Sequence, residues 1–528
     1  MNTTHMLQNL FNPTRENTGF VDHYSHLVLS LPYDRIGIAR ISPRGLANVR
    51  DPLTEQAFCL WLQREGGEVP IAVSAQETVM FPWGCRQRGS VYLAGTWIHV
   101  TATLVCPAHN RYCWNVELLP EHPLSDKLII ALSGAFEERV TDYLAEVRAG
   151  MAYFRVQQPA QHPELHIDST PDFGACWRLS LPGAQIALTR QGRQYRLTTA
   201  PHALDTALTL QWVLEGENCP PSLWEQWLVG SEPIHGYNID TVWTGAQERW
   251  EHLLSALPGK ERASYRRELR AAAVLSRCGY RGRYGRWKMH VASFCSITSW
   301  ASSAFFWDSA IGALGLAEFD LARAEDALRV LFAYQRPDGC VPTHSYEHKI
   351  GTTFYPQAPI LSWVLWQITQ HHQNWDFVRE ILPAMRALFE WNARTQDHDG
   401  DGLIEVRYTG QLADNAPQYD RYVQHVPGHE EIWNIFLPPV ASVALNSFHY
   451  ADARHLALLY RSIGQPVEAE AVLARVAHIP QALEQVCWDD ETGCYQDFEH
   501  QINAFNRVSV LTHFLPIWAG MPLPEGRL

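Results

Sequence analysis

Between about residues 20 and 235, apolar and polar positions alternate in short runs. Examples are Leu27-Val28-Leu29-Ser30-Leu31, Ile36 to Ile41, Val91-Tyr92-Leu93, Trp97 to Val105 and Trp177-Arg178-Leu179-Ser180-Leu181. A period of two bounded by Gly, Pro and Asn is the mark of a strand with one buried face. Pro182-Gly183 and Gln191-Gly192-Arg193 supply turns between successive runs. The pattern predicts an antiparallel β-sandwich, with a helical stretch at roughly 134 to 150 as its main exception.

After Cys219-Pro220-Pro221-Ser222 and a turn-rich stretch at Pro233 to Asn238, the spacing changes to the 3.6-residue period of helices. The boundary falls near residue 240 and divides the chain into an N-terminal sandwich, 1–240, and an all-helical part, 241–528. Helices are expected at Thr241–Leu257, Glu261–Cys278, Asp308–Leu316, Asp320–Gln335, Pro359–His371, Trp375–Thr395, Pro439–Ile463 and Pro466–Val486. Asp320 reads as an N-cap, Pro466 as a first helical residue and Gly464 as a terminator. Short turns alternating with long loops suggest helical hairpins set in a ring, although no strict repeat is visible.

Composition narrows the function. A chain of 528 residues exceeds one ordinary hydrophobic core, and 46% hydrophobic against 19% charged residues excludes a mainly disordered protein. No apolar run approaches the roughly 20 residues of a membrane helix. A net charge of −14 disfavours nucleic acid as a partner. The start, Met1 to Leu7, lacks the pattern of a secretory signal, so a cytoplasmic protein is expected. Eleven cysteines without a Cys-x-x-Cys pair read as core fillers, with no disulfide framework and no zinc site. No cofactor is called for. Twenty each of Trp, Tyr and Phe suit either stacking on sugar rings or a large core.

Four loops of the helical part carry candidate chemistry. In Phe305-Phe306-Trp307-Asp308-Ser309, Trp307 offers a stacking face and Asp308 a carboxylate for paired sugar hydroxyls. Taken alone, Asp308 is better suited to capping the following helix, since Asp is among the preferred N-cap residues. In Tyr355-Pro356-Gln357-Ala358-Pro359, Gln357 precedes a helix as Trp307-Asp308 does, which would bring both to one rim of a helical ring; otherwise it is a surface amide. Asp397-His398-Asp399-Gly400-Asp401-Gly402 resembles the start of a calcium loop, but Tyr408 stands where an EF-hand needs Glu, and a solvated Asp/Gly turn serves as well. Asp414, among small and apolar residues, has the setting that raises a carboxyl pKa toward that of a general acid; a structural role is the alternative.

Taken in order, Phe306-Trp307-Asp308-Ser309, Gln335-x-x-Asp338-Gly339-x-Val341-Pro342, Gln357-Ala358-Pro359, Asp397-x-Asp399-Gly400-Asp401-Gly402-Leu403 and Asp414-Asn415-x-Pro417 resemble the catalytic domain of family 63 glycoside hydrolases. The bacterial mannosylglycerate and glucosylglycerate hydrolase-like group is the nearest. The resemblance covers about residues 240 to 520. It implies an (α/α)6 toroid-type barrel and hydrolysis of an α-glycosidic bond with inversion. It also implies Asp414 as general acid, Phe306, Trp307 and Asp308 around the terminal sugar, Gln357 as a substrate-contacting amide, and a carbohydrate partner. Gln411-Leu412-Ala413 departs from the Ser-Gly-Leu/Met that precedes the acid in the family.

Segments around Trp488–Asp497 and Phe514–Gly520 resemble those before the family's final helices, so the barrel is expected to be incomplete at its C-terminus. The family's general base lies in that final portion. Asp420, Glu430 and Glu431 are the nearest carboxylates in sequence. Two readings stay open: a hydrolase, or a carbohydrate-binding relative that cannot activate water. A helical scaffold without sugar chemistry is a third.

Overall fold

The structure, a computed structural model, describes residues 19–20, 27–30, 34–38, 40–43, 54–67, 69–81, 83–108, 111–136, 142–148, 151–158, 173–219, 236–255, 278–281, 289–292, 304–345, 355–412, 417–419 and 436–527. The chain divides into two compact units. One holds the sheets of the first half, and the other includes Ala304–Ser345 and Ile350–Leu528.

In the first unit the strands are β1 (Gly37–Ile38), β2 (Thr54–Arg64), β3 (Ile71–Ala72), β4 (Ala75–Phe81), β5 (Gly84–Leu93), β6 (Thr96–Ala108), β7 (Arg111–Pro120), β8 (Leu128–Phe136), β9 (Asp142–Arg148), β10 (Met151–Gln158), β11 (Phe173–Ser180), β12 (Ile186–Gln191), β13 (Gln194–Thr199) and β14 (Leu208–Cys219). An eight-stranded sheet runs β9-β10-β11-β14-β7-β6-β5-β4, and a six-stranded sheet runs β12-β13-β8-β2-β1 with β3 beside β2. The pairings within them are antiparallel. Both sheets feed one core: Phe58, Leu60 and Leu62 from β2 and Leu132 from β8 join Trp114 of β7, Trp177 of β11 and Trp212 of β14. Part of the aromatic content noted in the sequence fills this core, where Phe154 and Trp177 stack with centroids 5.7 Å apart.

Among the described residues, the expected helix at 134–150 is not found. Residues 134–136 belong to β8 and 142–148 to β9, which pairs with β10 from Asp142↔Gln157 to Arg148↔Met151. Tyr143, Leu144, Ala145 and Val147 tolerate either period, and the two-residue connection to β10 decides for a hairpin. Helix α1 (Ile239–Ser255) falls in the unit of the sheets and packs on β6, where the Arg249 guanidinium donates 2.9 Å to the Cys106 carbonyl.

The second unit carries α2 (Phe306–Ala317), α3 (Leu321–Leu331), α4 (Leu361–His372), α5 (Trp375–Thr395), α6 (Val443–Ser462), α7 (Pro466–Val476), α8 (Ile479–Val486) and α9 (Leu515–Trp518). Short turns join α2 to α3, α4 to α5 and α6 to α7, and α4 packs against both α2 and α6. Asp320 caps α3 by accepting the Arg323 N–H at 3.2 Å, Pro466 opens α7, and Gly464 takes a φ of 79° past the end of α6. The helix expected from Pro439 starts only at Val443, because Pro438 and Pro439 favour extended backbone and Phe436–Ala441 is a strand. The single helix expected over 466–486 is two, since Pro480 has no N–H to give to the preceding turn. The helix expected at Glu261–Cys278 lies outside the described residues, apart from Cys278 itself, which begins a short strand. Among the described residues, no helix is long and apolar enough to cross a membrane.

Gly134 of β8 admits no side chain. A Cβ there would sit 2.1 Å from the Ala57 carbonyl oxygen and 2.4 Å from the Tyr195 ring, whose hydroxyl donates to that same carbonyl at 2.8 Å. Gly134→Ala is expected to destabilise the protein by about 1–3 kcal/mol through this overpacking. Urea unfolding measures it, and an unchanged midpoint would show that β8 and β13 can part without cost.

Candidate active site

The site is best built from the first turn of α2. A helix beginning inside a protein leaves amide N–H groups without intrahelical acceptors. Phe306 N–H donates to the Thr343 carbonyl at 3.0 Å, and Trp307 N–H donates to Gln357 Oε1 at 3.1 Å. Gln357 is 6% exposed, so it is no surface amide; it pins the start of α2 from a loop fifty residues away. Phe306 is buried edge-on against Phe332.

Asp308 does not cap the helix. The cap position is Phe305, without a side-chain hydrogen bond, because α2 starts two residues before Asp308. The Asp308 carboxyl instead belongs to the first turn. Burial pushes its pKa above the ordinary carboxylate value, against hydrogen bonds from its own backbone N–H and from the Trp307 side chain. Trp307 is half-buried and meets Phe448 edge-to-face at 6.3 Å. Phe448 continues to Trp518 at 5.5 Å, and Trp518 to Trp363 at 6.3 Å. Sequence reading missed Phe448 and Trp363, which sit on ordinary amphipathic helices with no local signal.

The loop preceding Asp414 reaches the same region. Ala358 N–H donates to the Gln411 carbonyl at 2.7 Å, and Leu412 and Ala358 share a buried cluster against which Trp307 packs. Gln411 is fully buried. Its Oε1 accepts the Arg407 N–H at 2.7 Å, its Nε2 donates to Gln396 at 2.9 Å, and Gln396 donates to Asn392 at 2.6 Å. These amides tie the end of α5 to the loop. Asp414 itself lies outside the described residues, as do Asp420, Glu430 and Glu431.

Two buried carboxyls that the sequence did not single out complete the helix starts. Asp452 of α6 accepts the Ser362 N–H at 3.1 Å at the start of α4, and Asp497 accepts the Val443 N–H at 2.9 Å at the start of α6. The Tyr419 hydroxyl also donates to Asp497, at 3.5 Å. Burial raises both carboxyls to about 6, and it lowers His513, 3.9 Å from Asp497, to about 4.

The acidic loop folds largely on itself. Asp397 accepts the N–H groups of Gly400 at 2.8 Å and Gly402 at 3.1 Å, Asp399 that of Asp401 at 3.2 Å, and Asp401 that of Leu403 at 2.7 Å. These are the Asp/Gly turns of the simpler reading. Asp397, Asp399 and Asp401 still offer carboxylate oxygens within 4.8 Å of one another, and Asp399, Glu405 and His500 form a second such set. Glu405 is buried and accepts from His398 Nδ1 at 2.6 Å.

Because its pKa is raised by burial, Asp452 is protonated in the fold at pH values where the unfolded chain has already ionised it. The stability this protonated group contributes is full below the ordinary carboxylate pKa and is lost as pH rises through about 6. Asp452→Asn retains an acceptor for Ser362 and removes the titration. The variant should gain on the native protein by about 2–3 kcal/mol between pH 4 and pH 7 in denaturant unfolding. A difference that stays constant with pH would refute the assignment.

Comparison with known proteins places this unit. Residues 302–527 match the mannosylglycerate hydrolase MGH1-like glycoside hydrolase domain. Mannosylglycerate hydrolase MGH1 of Selaginella moellendorffii is 27% identical over 188 residues, which are 29% of this chain and 36% of that protein. Mannosylglycerate hydrolase of Thermus thermophilus is 26% identical over 286 residues, 41% of this chain and 68% of that protein. The chain thus spans about a third of the plant relative's length. A putative kojibiose phosphorylase from the human microbiome shares the fold over 94% of this chain and 70% of its own, with a TM-score of 0.57 and 7% identity. The resemblance carried by the five ordered motifs holds: through residues 302–527 the chain is similar to the GH63-like glycoside hydrolases of the mannosylglycerate hydrolase type.

Proposed function

We propose that the chain hydrolyses a small α-linked mannoside or glucoside with inversion, a glycosylglycerate foremost. Asp414 protonates the leaving oxygen. Trp307 and Asp308 hold the terminal sugar, with the indole on a sugar face and the carboxyl on its hydroxyls, while Phe306, buried against Phe332, supports them from the core. Gln357 acts at the same place, fixing Trp307 through its backbone. A second carboxylate activates water, roughly 6.5–9.5 Å from the acid as inversion requires. The substrate follows from the names of the plant and Thermus relatives. The reading also takes the sheets of the first unit as a β-sandwich and the helices of the second as an (α/α)6 toroid, in a cytoplasmic protein; α1, past the boundary expected at 240, goes with the sheets.

The observation that carries the reading is the hydrogen bond from Trp307 to Gln357, together with that from Ala358 to Gln411. Two of the ordered motifs, through Trp307 and Ala358, converge on one buried cluster, and Leu412, two residues before Asp414, belongs to it. For a cytoplasmic setting the support is the burial of Cys59, Cys85, Cys113 and Cys487 as thiols, with Cys85 pushed up to about 12.

Incubation with α-mannosylglycerate, followed by NMR of the released sugar, tests the proposal. The β-anomer of free mannose is expected first, and Asp414→Asn should slow release by about 10²–10⁴-fold. Trp307→Ala should weaken sugar binding. Saturable sugar binding without turnover would replace the hydrolase by a carbohydrate-binding relative; neither turnover nor binding would remove the sugar reading altogether.

A further inference from the structure

The six-stranded sheet carries a groove of about 730 Å³ in the other unit, within the roughly 300–1,000 Å³ range of small-molecule sites. Alternation along the strands places Trp61 on the face opposite Leu60 and Leu62, and Arg196 and Gln194 opposite Tyr195 and Leu197. The groove thus lies on the outer face, away from the core. Among the described residues that line it are Arg196 and the amides of Gln191 and Gln194, without a carboxylate, while Arg190, directly opposite Tyr195, borders it from the other face of the sheet. In a chain of net charge −14, such a lining is unusual.

Its polar and aromatic groups are held in place before any ligand arrives. The Trp61 indole N–H donates to Ser133 Oγ at 2.5 Å. Arg196 donates to Gln63 Oε1 at 3.2 Å, while its Nε–H, buried in the groove wall, meets no protein acceptor. Arg190 donates to the Gly192 carbonyl at 3.1 Å, and its guanidinium lies 4.7 Å from the Tyr143 ring centroid. Fixed rotamers lower the entropy lost on binding.

We propose that this groove is a second carbohydrate site, distinct from the hydrolase site and selective for an acidic oligosaccharide whose rings carry carboxylates. An indole face takes the C–H face of a pyranose, amides take hydroxyls, and a guanidinium takes a carboxylate in a paired, charge-assisted contact. A neutral sugar would satisfy only the first two. The charge of the lining therefore selects a uronate over a neutral hexose.

The test is calorimetric titration of the full chain with trigalacturonate at low salt, with maltotriose as the neutral comparison. Saturable binding of trigalacturonate is expected, at least about tenfold tighter than maltotriose. Arg196→Gln and Trp61→Ala should each weaken it by about tenfold or more. Because Trp61→Ala touches a packed side chain, Gln194→Glu serves as a second variant. It sets a carboxylate in the groove at an exposed position, and should weaken trigalacturonate about tenfold with an unchanged melting temperature. Three results would overturn the proposal: an absence of saturable binding, equal binding of the two sugars, or trigalacturonate affinity unmoved by Arg196→Gln and Gln194→Glu.

Discussion

Helices that begin inside a protein bring amide N–H groups that water cannot reach, and each unmatched one costs on the order of 1–3 kcal/mol. The second unit meets this demand at a distance. The start of α2 is satisfied by Thr343 and Gln357, that of α4 by Asp452, and that of α6 by Asp497. Each acceptor comes from a different segment of the chain, so satisfying a helix end also fixes a tertiary contact. The candidate site sits where the first of these contacts holds Trp307. An aromatic face for a sugar must keep one orientation, and a backbone hydrogen bond to the residue that bears it restrains that orientation more directly than packing alone.

This division between near and remote acceptors explains what could be read in advance. Helices α3 and α5 start on residues that cap from the adjacent position, Asp320 and Asn374, and their beginnings are legible from a few letters of sequence. The remote caps are not: nothing around Gln357, Asp452 or Asp497 announces which helix each will serve. Asp308 was open to misreading for the same reason. Asp just inside an apolar helix suits capping, but the Thr343 and Gln357 acceptors let α2 start two residues earlier and put the carboxyl inside the first turn. In the first unit the strands follow their period of two closely. The exception at 134–150 arises where side chains indifferent to helix or strand are decided by a neighbouring hairpin.

The departure of Gln411 from the family pattern has a physical account. A serine at that place could accept or donate through one short hydroxyl, whereas the Gln411 side chain reaches both the Arg407 N–H and Gln396. Through Gln396 and Asn392 it fastens the loop to the last turn of α5. A buried amide relay with its members matched is rigid, because breaking any one bond leaves a polar group stranded in the interior. The altered residues therefore need not weaken the loop that leads to Asp414; they hold it by another set of bonds.

The electrostatic character of this unit follows from the same burial. Asp308, Asp452 and Asp497 are all shifted upward, yet for differing ends. Asp452 and Asp497 are sealed, and their acceptor oxygens are occupied by helix N–H groups, so their raised pKa is a consequence of a structural duty. Asp308 is only partly buried and lies beside an indole. It accepts hydrogen bonds from its own backbone N–H and the Trp307 side chain, so it serves the first turn of α2 alongside Thr343 and Gln357. The raised pKa of Asp308 thus has the same origin as theirs, burial outweighing the hydrogen bonds it accepts, while its partial exposure makes it the one of the three that solvent or a ligand can reach.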